Sequence, residues 1–248
     1  TRDGGIIVNE PSVVAIDTRN NEVLAVGSEA KRARGRTPKR IKTIRPMKSG
    51  VIADFDTTSR MIVYFVNKAI GRSHLVKPSL VISVPTGITG VEKKAVIDAA
   101  ATAGAGRVSL IEEPMAAAIG ADLPVTEPVG TLIADIGGGT SEVAVITMSA
   151  ITVSQSIRIA GDAMNEILLR MLRDKYRLDV GENTAEHLKI LLGSTQPVPD
   201  LPDYAEISGR DLVSGVPMTK KVTSEDVRLA LKEPVEEIAS AVMRVLEK

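Results

Sequence analysis

Residues 135–142 read Asp-Ile-Gly-Gly-Gly-Thr-Ser-Glu, and the apolar Val143-Ala144-Val145-Ile146 follows at once. Thr131-Leu132-Ile133-Ala134 precedes the run, so a strand enters, three glycines turn and another strand leaves. Consecutive glycines strip side chains from the turn and permit positive φ, which lets successive backbone N–H groups converge on an anion such as phosphate. Asp135 at the strand end suits a hydrated Mg2+, an ion that keeps several waters and takes few carboxylates. Thr140 adds a hydroxyl at the exit. The plainer alternative is a hairpin whose glycines only allow a tight reversal. An acid, three glycines and a hydroxyl between two apolar strands favour the anion site over that alternative.

A second cluster, Ile111-Glu112-Glu113-Pro114-Met115-Ala116-Ala117-Ala118-Ile119-Gly120, sets two carboxylates at the start of a helix whose first turn holds proline. The small residues that follow make a slim helix which another element can approach closely. A carboxylate there can orient or deprotonate a water. Acids in a first turn equally serve the helix dipole, and taken in isolation that is the simpler reading. No G-x-x-x-x-G-K-[ST] occurs, and no G-x-G-x-x-G opens a helix after a strand, which disfavours the two commonest nucleotide folds built on those motifs.

The elements that must position these groups alternate. Leu80 to Val84 and Thr131 to Ala134 are short apolar runs bounded by Pro or Gly, as expected of buried central strands. Thr57 to Ile70 repeats apolar residues at Met61, Ile62, Phe65 and Val66, and Val91 to Ala103 at Val91, Ala95, Val96 and Ala99. Both read as amphipathic helices ended by glycine, Gly71 and Gly104. Further helices are expected over Ala163–Tyr176, Thr184–Leu192 and Ser224 to the end, with Pro234 kinking the last or starting a new one. Gln196 to Pro217, rich in Pro, Asp, Ser and Gly, reads as loops and short strands of a small attached subdomain. Strands alternating with helices indicate an α/β protein.

Composition removes several classes of function. Thirty-one basic residues balance thirty-one acidic ones, so no global field draws the chain to nucleic acid, an anionic membrane or an acidic substrate. The absence of cysteine excludes disulfides, thiolate metal sites and cysteine nucleophiles, and two distant histidines, His74 and His187, disfavour a histidine-rich metal centre. Aromatic residues make up 2%, which argues against a base-stacking platform. No apolar run approaches the roughly 20 residues of a membrane-spanning helix, and a cytoplasmic protein is expected. With 248 residues and 44% hydrophobic content, one large or two smaller domains can be built. One local patch stands out: nine basic and no acidic residues between Lys31 and Lys48. It reads as a solvated face in preference to a nucleic-acid surface, given the neutral total and scarce aromatics.

Together the segments resemble the actin-like ATPase superfamily and, within it, the bacterial actins of the MreB type. Asn9-Glu10-Pro11-Ser12-Val13-Val14-Ala15, Ile44-Arg45-Pro46-Met47, Gly50-Val51-Ile52-Ala53-Asp54, Ile111 to Gly120 and Asp135 to Val145 carry the resemblance in order. So do Ser156-Ile157-Arg158, Gly161-Asp162 and Gly181-Glu182-Asn183-Thr184-Ala185-Glu186. What the resemblance implies is an α/β, actin-like two-lobed fold, each lobe a ribonuclease-H-like sheet flanked by helices with a smaller insert. The first lobe would have its core at 1–14 and 57–127 and its insert at 15–56. The second would have its core at 128–161 and 227–248 and its insert at 162–226. ATP or ADP with Mg2+ would lie between the lobes. Gly137, Gly138, Gly139 and Thr140 would form the second phosphate loop, with Asp135 facing the metal. Glu113 would position the attacking water with Thr140 beside it, Glu186 and Lys189 would line the nucleoside pocket, and Gly161 with Asp162 would fall near the cleft.

The resemblance also implies filaments formed with further copies of the chain, attachment to the inner face of the cell membrane, and work with cell-wall synthesis and morphogenesis proteins that maintains rod shape. Leu75 and Val76 occupy the place of an apolar membrane loop, although they equally read as the start of the strand running to Val84. No nucleic-acid partner is expected. The family's first phosphate loop, of the type Asp-Leu-Gly-Thr, and its late Gly-Gly-Gly segment over the adenosine do not occur between Thr1 and Lys248. By itself this stretch is therefore expected to hydrolyse ATP poorly. Chaperones and sugar kinases of the same superfamily share the acid-plus-glycine turn but not the motifs at 44–47 and 50–54.

Overall fold

The computed structural model describes residues 5–33, 38, 40–48, 50–71 and 77–248. Leu75 and Val76, together with His74 and with Arg34, Arg36 and Lys39 of the basic segment, lie outside the described residues. The chain divides into two compact units, Thr1–Ala116 and Ala117–Lys248.

The first unit contains β1 (Val14–Asp17), β2 (Glu22–Val26), α1 (Ser28–Ala33), β3 (Ile41–Ile44), β4 (Met47–Lys48), β5 (Val51–Ile52), α2 (Phe55–Ile70), β6 (Ser79–Val84), α3 (Gly90–Thr102) and β7 (Arg107–Glu112). The antiparallel sheet β2-β1-β3 sets Val14 opposite both Val26 and Ile44, and one face buries Val14, Val26 and Met61 of α2 together. Asp54 caps α2 by accepting from the Thr57 N–H at 2.7 Å, and Gly71, at φ +86°, stops it where an L side chain would be strained. A reciprocal capping box between Thr89 and Glu92 starts α3. That helix buries Val96, Ala99 and Ala100 but leaves Val91 facing solvent.

β6 and β7 form a parallel pair in register from Ser79↔Arg107 to Val84↔Glu112. The expectation of a buried central strand fails at β6, where Val81 is 69% exposed. Among the described residues this strand is hydrogen-bonded on one side only, so the apolar run is covered by less of the protein than its composition suggests. From β7 the chain passes directly into α4 (Glu113–Gly120), which carries the division between the units.

The second unit contains β8 (Thr131–Ile136), β9 (Ser141–Thr147), β10 (Ala150–Ile157), α5 (Gly161–Asp174), β11 (Leu178–Asp179), α6 (Glu182–Leu192), β12 (Tyr204–Asp211), β13 (Pro217–Thr223) and α7 (Ser224–Leu246). β10-β9-β8 is an antiparallel meander in which β9, the middle strand, is the buried one. Here too a strand expected to be central lies at an edge: β8 pairs only with β9 among the described residues, and Ile136 is 53% exposed. α7 covers this sheet by setting Ala241 and Val245 against Val143. It runs unbroken through the buried Pro234, with neither a new helix nor a stop there.

The larger core lies between α5, α6 and the sheet β11-β12-β13, where Leu168, Leu172, Leu188, Leu192, Ile207 and Val222 meet. The stretch expected to hold only loops and short strands thus contributes the eight-residue β12. Asp226 ties this region together, accepting from Lys175 at 2.5 Å and from the Tyr176 hydroxyl.

Candidate functional site

The glycine turn joins β8 to β9 and is closed by the Gly137 N–H, which donates to the Thr140 carbonyl at 2.9 Å. Two further bonds tie it to the start of α5. The Gly161 N–H donates to Gly137 O at 3.1 Å, and the Asp162 N–H donates to Gly138 O at 2.8 Å. α5 has no side-chain N-cap, since Ala160 stands at that position. The turn's carbonyls take that part and satisfy donors which a helix start leaves open.

These bonds fix more than the carbonyls. A trans peptide is planar, so the C=O of one residue and the N–H of the next point in opposite directions. With Gly137 O and Gly138 O drawn towards α5, the N–H groups of Gly138 and Gly139 are directed to the other side of the turn. Neither has a backbone acceptor among the described residues outside helices and strands. A pair of successive N–H groups presented in this way is a nest for an anion.

The sequence assigned a different part to the glycines. Positive φ does not occur at Gly137, Gly138 or Gly139. Space is tight at Gly137, where a Cβ would lie 3.3 Å from Thr140 O, and at Gly161, where one would lie 3.4 Å from Gly137 O. The permissive backbone is unused, and the close approach of backbone to backbone leaves little room for a side chain at Gly137, whereas a Cβ on Gly138 would meet the Asp162 carboxylate only at an ordinary 3.9 Å.

Asp135, next to the end of β8, stands directly opposite Glu142 of β9, so the two carboxylates share one face of the sheet. Glu142 is 1% exposed and Asp135 is half-buried. Burial, followed by the negative charge of Glu142, pushes the Asp135 carboxyl above its ordinary value. A cation at this point would relieve both effects. The facing Asp135 and Glu142 carboxylates would suit an ion that takes few carboxylates and retains waters, as Mg2+ does.

Around the turn, Thr140 is buried, and the wholly buried Ser141 donates its hydroxyl to Ile159 O at 2.6 Å. The Asp162 carboxylate oxygens lie 3.9 Å from where a Cβ on Gly138 would stand. Lys189 reaches across from α6, its Nζ donating to Gly161 O at 2.9 Å. Glu186 lies three residues earlier on α6, half-buried. The second unit therefore gathers Asp135, Gly137 to Thr140, Gly161, Asp162 and Lys189 around one turn, with Glu186 on the adjoining helix. Glu113 opens α4, half-buried, at the end of the first unit.

Sequence reasoning passed over Ser141, Glu142 and Asn165 as participants. Asn165 is 2% exposed, its Oδ1 has no hydrogen-bond partner, and it lies one helical turn from Gly161. The available signal was a polar residue in step with the buried Leu168 and Leu172 along α5.

Known proteins resemble the chain over its whole length. The family described as MreB/Mbl protein matches residues 1–248. The cell shape-determining protein Mbl of Bacillus cereus is 47% identical over 98% of this chain and 73% of its own length. The cell shape-determining protein MreB of Escherichia coli is 46% identical over 98% of this chain and 72% of its own. Among solved structures, MreB 5 of Spiroplasma citri bound to AMPPNP superposes with a TM-score of 0.92 at 32% identity, covering 100% of this chain and 74% of that one.

Proposed function

The chain belongs to the MreB/Mbl family of cell shape-determining proteins and has their actin-like fold, and on that premise we propose that it binds adenine nucleotide with Mg2+ at the glycine turn of the second unit. The observation that carries the reading is the pair of N–H groups of Gly138 and Gly139 directed away from α5, with the Asp135 carboxylate at the foot of the same turn. Nucleotide-bound forms of a relative support it, since MreB 5 of Spiroplasma citri has been solved with AMPPNP and with ADP.

In this reading the turn holds a phosphate and Asp135 holds Mg2+, whose positive charge offsets that of the phosphate oxygens when it is bound. Glu186 flanks the nucleoside side, and Lys189, which the resemblance sets beside it, gives its ammonium to Gly161 O, with Gly161 and Asp162 adjoining the turn. The first lobe has its core at 1–14 and 57–127 and its insert at 15–56, and the second its core at 128–161 and 227–248 and its insert at 162–226. Hydrolysis consists of water attack on the γ-phosphorus as its bond to the β,γ-bridging oxygen breaks, giving ADP and inorganic phosphate with the water's proton carried off on the products, and the protein orients and stabilises more than it reacts. Glu113 and Thr140 orient that water. Copies of the chain associate head to tail, because a heterologous contact that does not close yields a filament. The filament works at the cytoplasmic face of the cell membrane, with Leu75 and Val76 as its apolar contact, alongside cell-wall synthesis and morphogenesis proteins.

Calorimetric titration of ADP and AMPPNP into the chain, with and without Mg2+, tests the central claim. Mg2+-dependent binding that weakens by about tenfold or more in Asp135→Asn is expected, from the loss of a charge-assisted contact. Isotherms indifferent to both Mg2+ and the substitution would remove the turn from consideration. In a protein of the relatives' full length, Glu113→Ala should slow ATP hydrolysis strongly while leaving affinity intact, and equal rates would discard its role.

A further inference from the structure

Lys189 occupies the last turn of α6, a place where a cation meets the negative end of the helix dipole. A lysine normally buries its stem and sends the ammonium into water. Here the residue is half-buried and its ammonium is turned inward, donating to the carbonyl of the first residue of α5, Gly161, at 2.9 Å. From that residue the chain of bonds continues to the glycine turn, through the Gly161 N–H to Gly137 O and the Asp162 N–H to Gly138 O. The space is closed as well. A Cβ on Gly161 would lie 3.2 Å from Lys189 Nζ, 3.4 Å from Gly137 O and 3.7 Å from Gly138 Cα, so lysine, helix start and turn are in mutual contact.

We propose that Lys189 is a positioning residue for the phosphate turn: by fixing Gly161 O it holds the first turn of α5 against the glycines, and so keeps the N–H groups of Gly138 and Gly139 aimed at a phosphate. The proposal rests on the nucleotide reading above and deepens it. The force is transmitted by peptide geometry. Gly161 O constrains the α5 start, which holds Gly137 O and Gly138 O, and each of those carbonyls shares a rigid plane with the N–H that follows it. Three glycines in succession have little of their own to resist rotation, because no side chain restricts φ and ψ. An external tie is therefore needed, and a charge-assisted bond is the stronger kind. Since α6 packs its Ala185, Leu188 and Leu192 into the same core as Leu168 and Leu172 of α5, the tie is anchored on a rigid element.

A role through the turn differs from direct contact with the nucleoside in what it affects. Positioning acts on ligands that carry phosphate, whereas a nucleoside contact acts on adenosine as well. The test uses the whole 248-residue chain with Lys189→Met, which keeps an apolar stem and loses the donor, and Lys189→Arg, which restores one.

The first readout is amide hydrogen exchange at Gly161 and Asp162 without nucleotide. Exchange should accelerate by about tenfold or more in the Met variant, the loss of a hydrogen bond from a charged donor, and return towards the original rate in the Arg variant. Unchanged exchange overturns the proposal. The second readout is affinity for Mg·ADP beside adenosine. A several-fold loss for ADP with none for adenosine is expected, and equal loss for both overturns the positioning role. Should the unsubstituted chain bind neither ligand, the phosphate reading falls, while the exchange measurement still decides whether Lys189 holds the turn. Lys189→Gln, polar but neutral and shorter, replaces the Met variant if that one does not fold, with the same outcomes decisive.

Discussion

Replacing Ser141 by alanine isolates the bond that closes the turn on its far side. Ser141 is fully buried, and its hydroxyl donates to Ile159 O at 2.6 Å, just before the joint that leads into α5. Alanine fills nearly the same space, so the change deletes one donor and leaves the Ile159 carbonyl short of a partner. An acceptor left unsatisfied in the interior costs about 1–3 kcal/mol. This bond is only part-buried and water can reach some of the carbonyl, which places the expected loss at about 1–2 kcal/mol. For a protein of this length that corresponds to a fall of roughly 2–8 °C in Tm. Urea denaturation followed by circular dichroism, with the slope of the transition held the same, measures the loss directly. Ser141→Ala should also weaken ADP binding several-fold, because the hydroxyl and the Gly161 and Asp162 N–H groups hold the same joint. An unchanged midpoint together with unchanged affinity would show that the Ser141 hydroxyl does not hold this joint.

Other expectations concern charge and space. The Asp135 carboxyl lies above its ordinary value when folded, so the native state binds more protons than the unfolded one and loses stability as pH rises from about 3.8 through the folded value. Asp135→Asn should therefore make the nucleotide-free protein more resistant to urea at neutral pH while weakening Mg2+-dependent binding, and lower resistance would contradict the stated cause. Glu10 has the opposite sign. Hydrogen bonds from Lys68 and Ser28 hold its carboxyl down at about 2, against 4.5 ordinarily. Its contribution is complete above pH 4.5 and fades as pH falls towards 2, so an acid titration of Glu10→Gln should be flatter than that of the parent over that interval. Gly209→Ala would set a Cβ 2.6 Å from Asp179 O and 2.7 Å from Val180 Cγ1, and should destabilise the chain by about 1–3 kcal/mol through overpacking. A Tm equal to that of the parent would show that β11 yields more easily than this contact implies.

The main helices and the place of the turn were legible in the amino-acid sequence alone. Gly71 ends a helix and the apolar repeat through Met61 faces the core, because capping and periodicity act between residues a few positions apart, while the starts at Asp54 and Thr89 were seen only in the structure. The acid and the three glycines between two apolar strands were legible for the same reason. Tertiary structure decided what these residues do. Gly137 is crowded by the nearness of Thr140 O, and none of the three glycines has positive φ. Val81 and Leu132, in runs that read as buried, are exposed because exposure depends on which strands pair with β6 and β8. Glu142 rather than Asp135 is the more deeply enclosed carboxylate, since β9 is the middle strand of its sheet. Lys189 gives its ammonium to Gly161 because the packing of α5 on α6 brings together residues far apart in the chain, and no local pattern records a contact made across that distance.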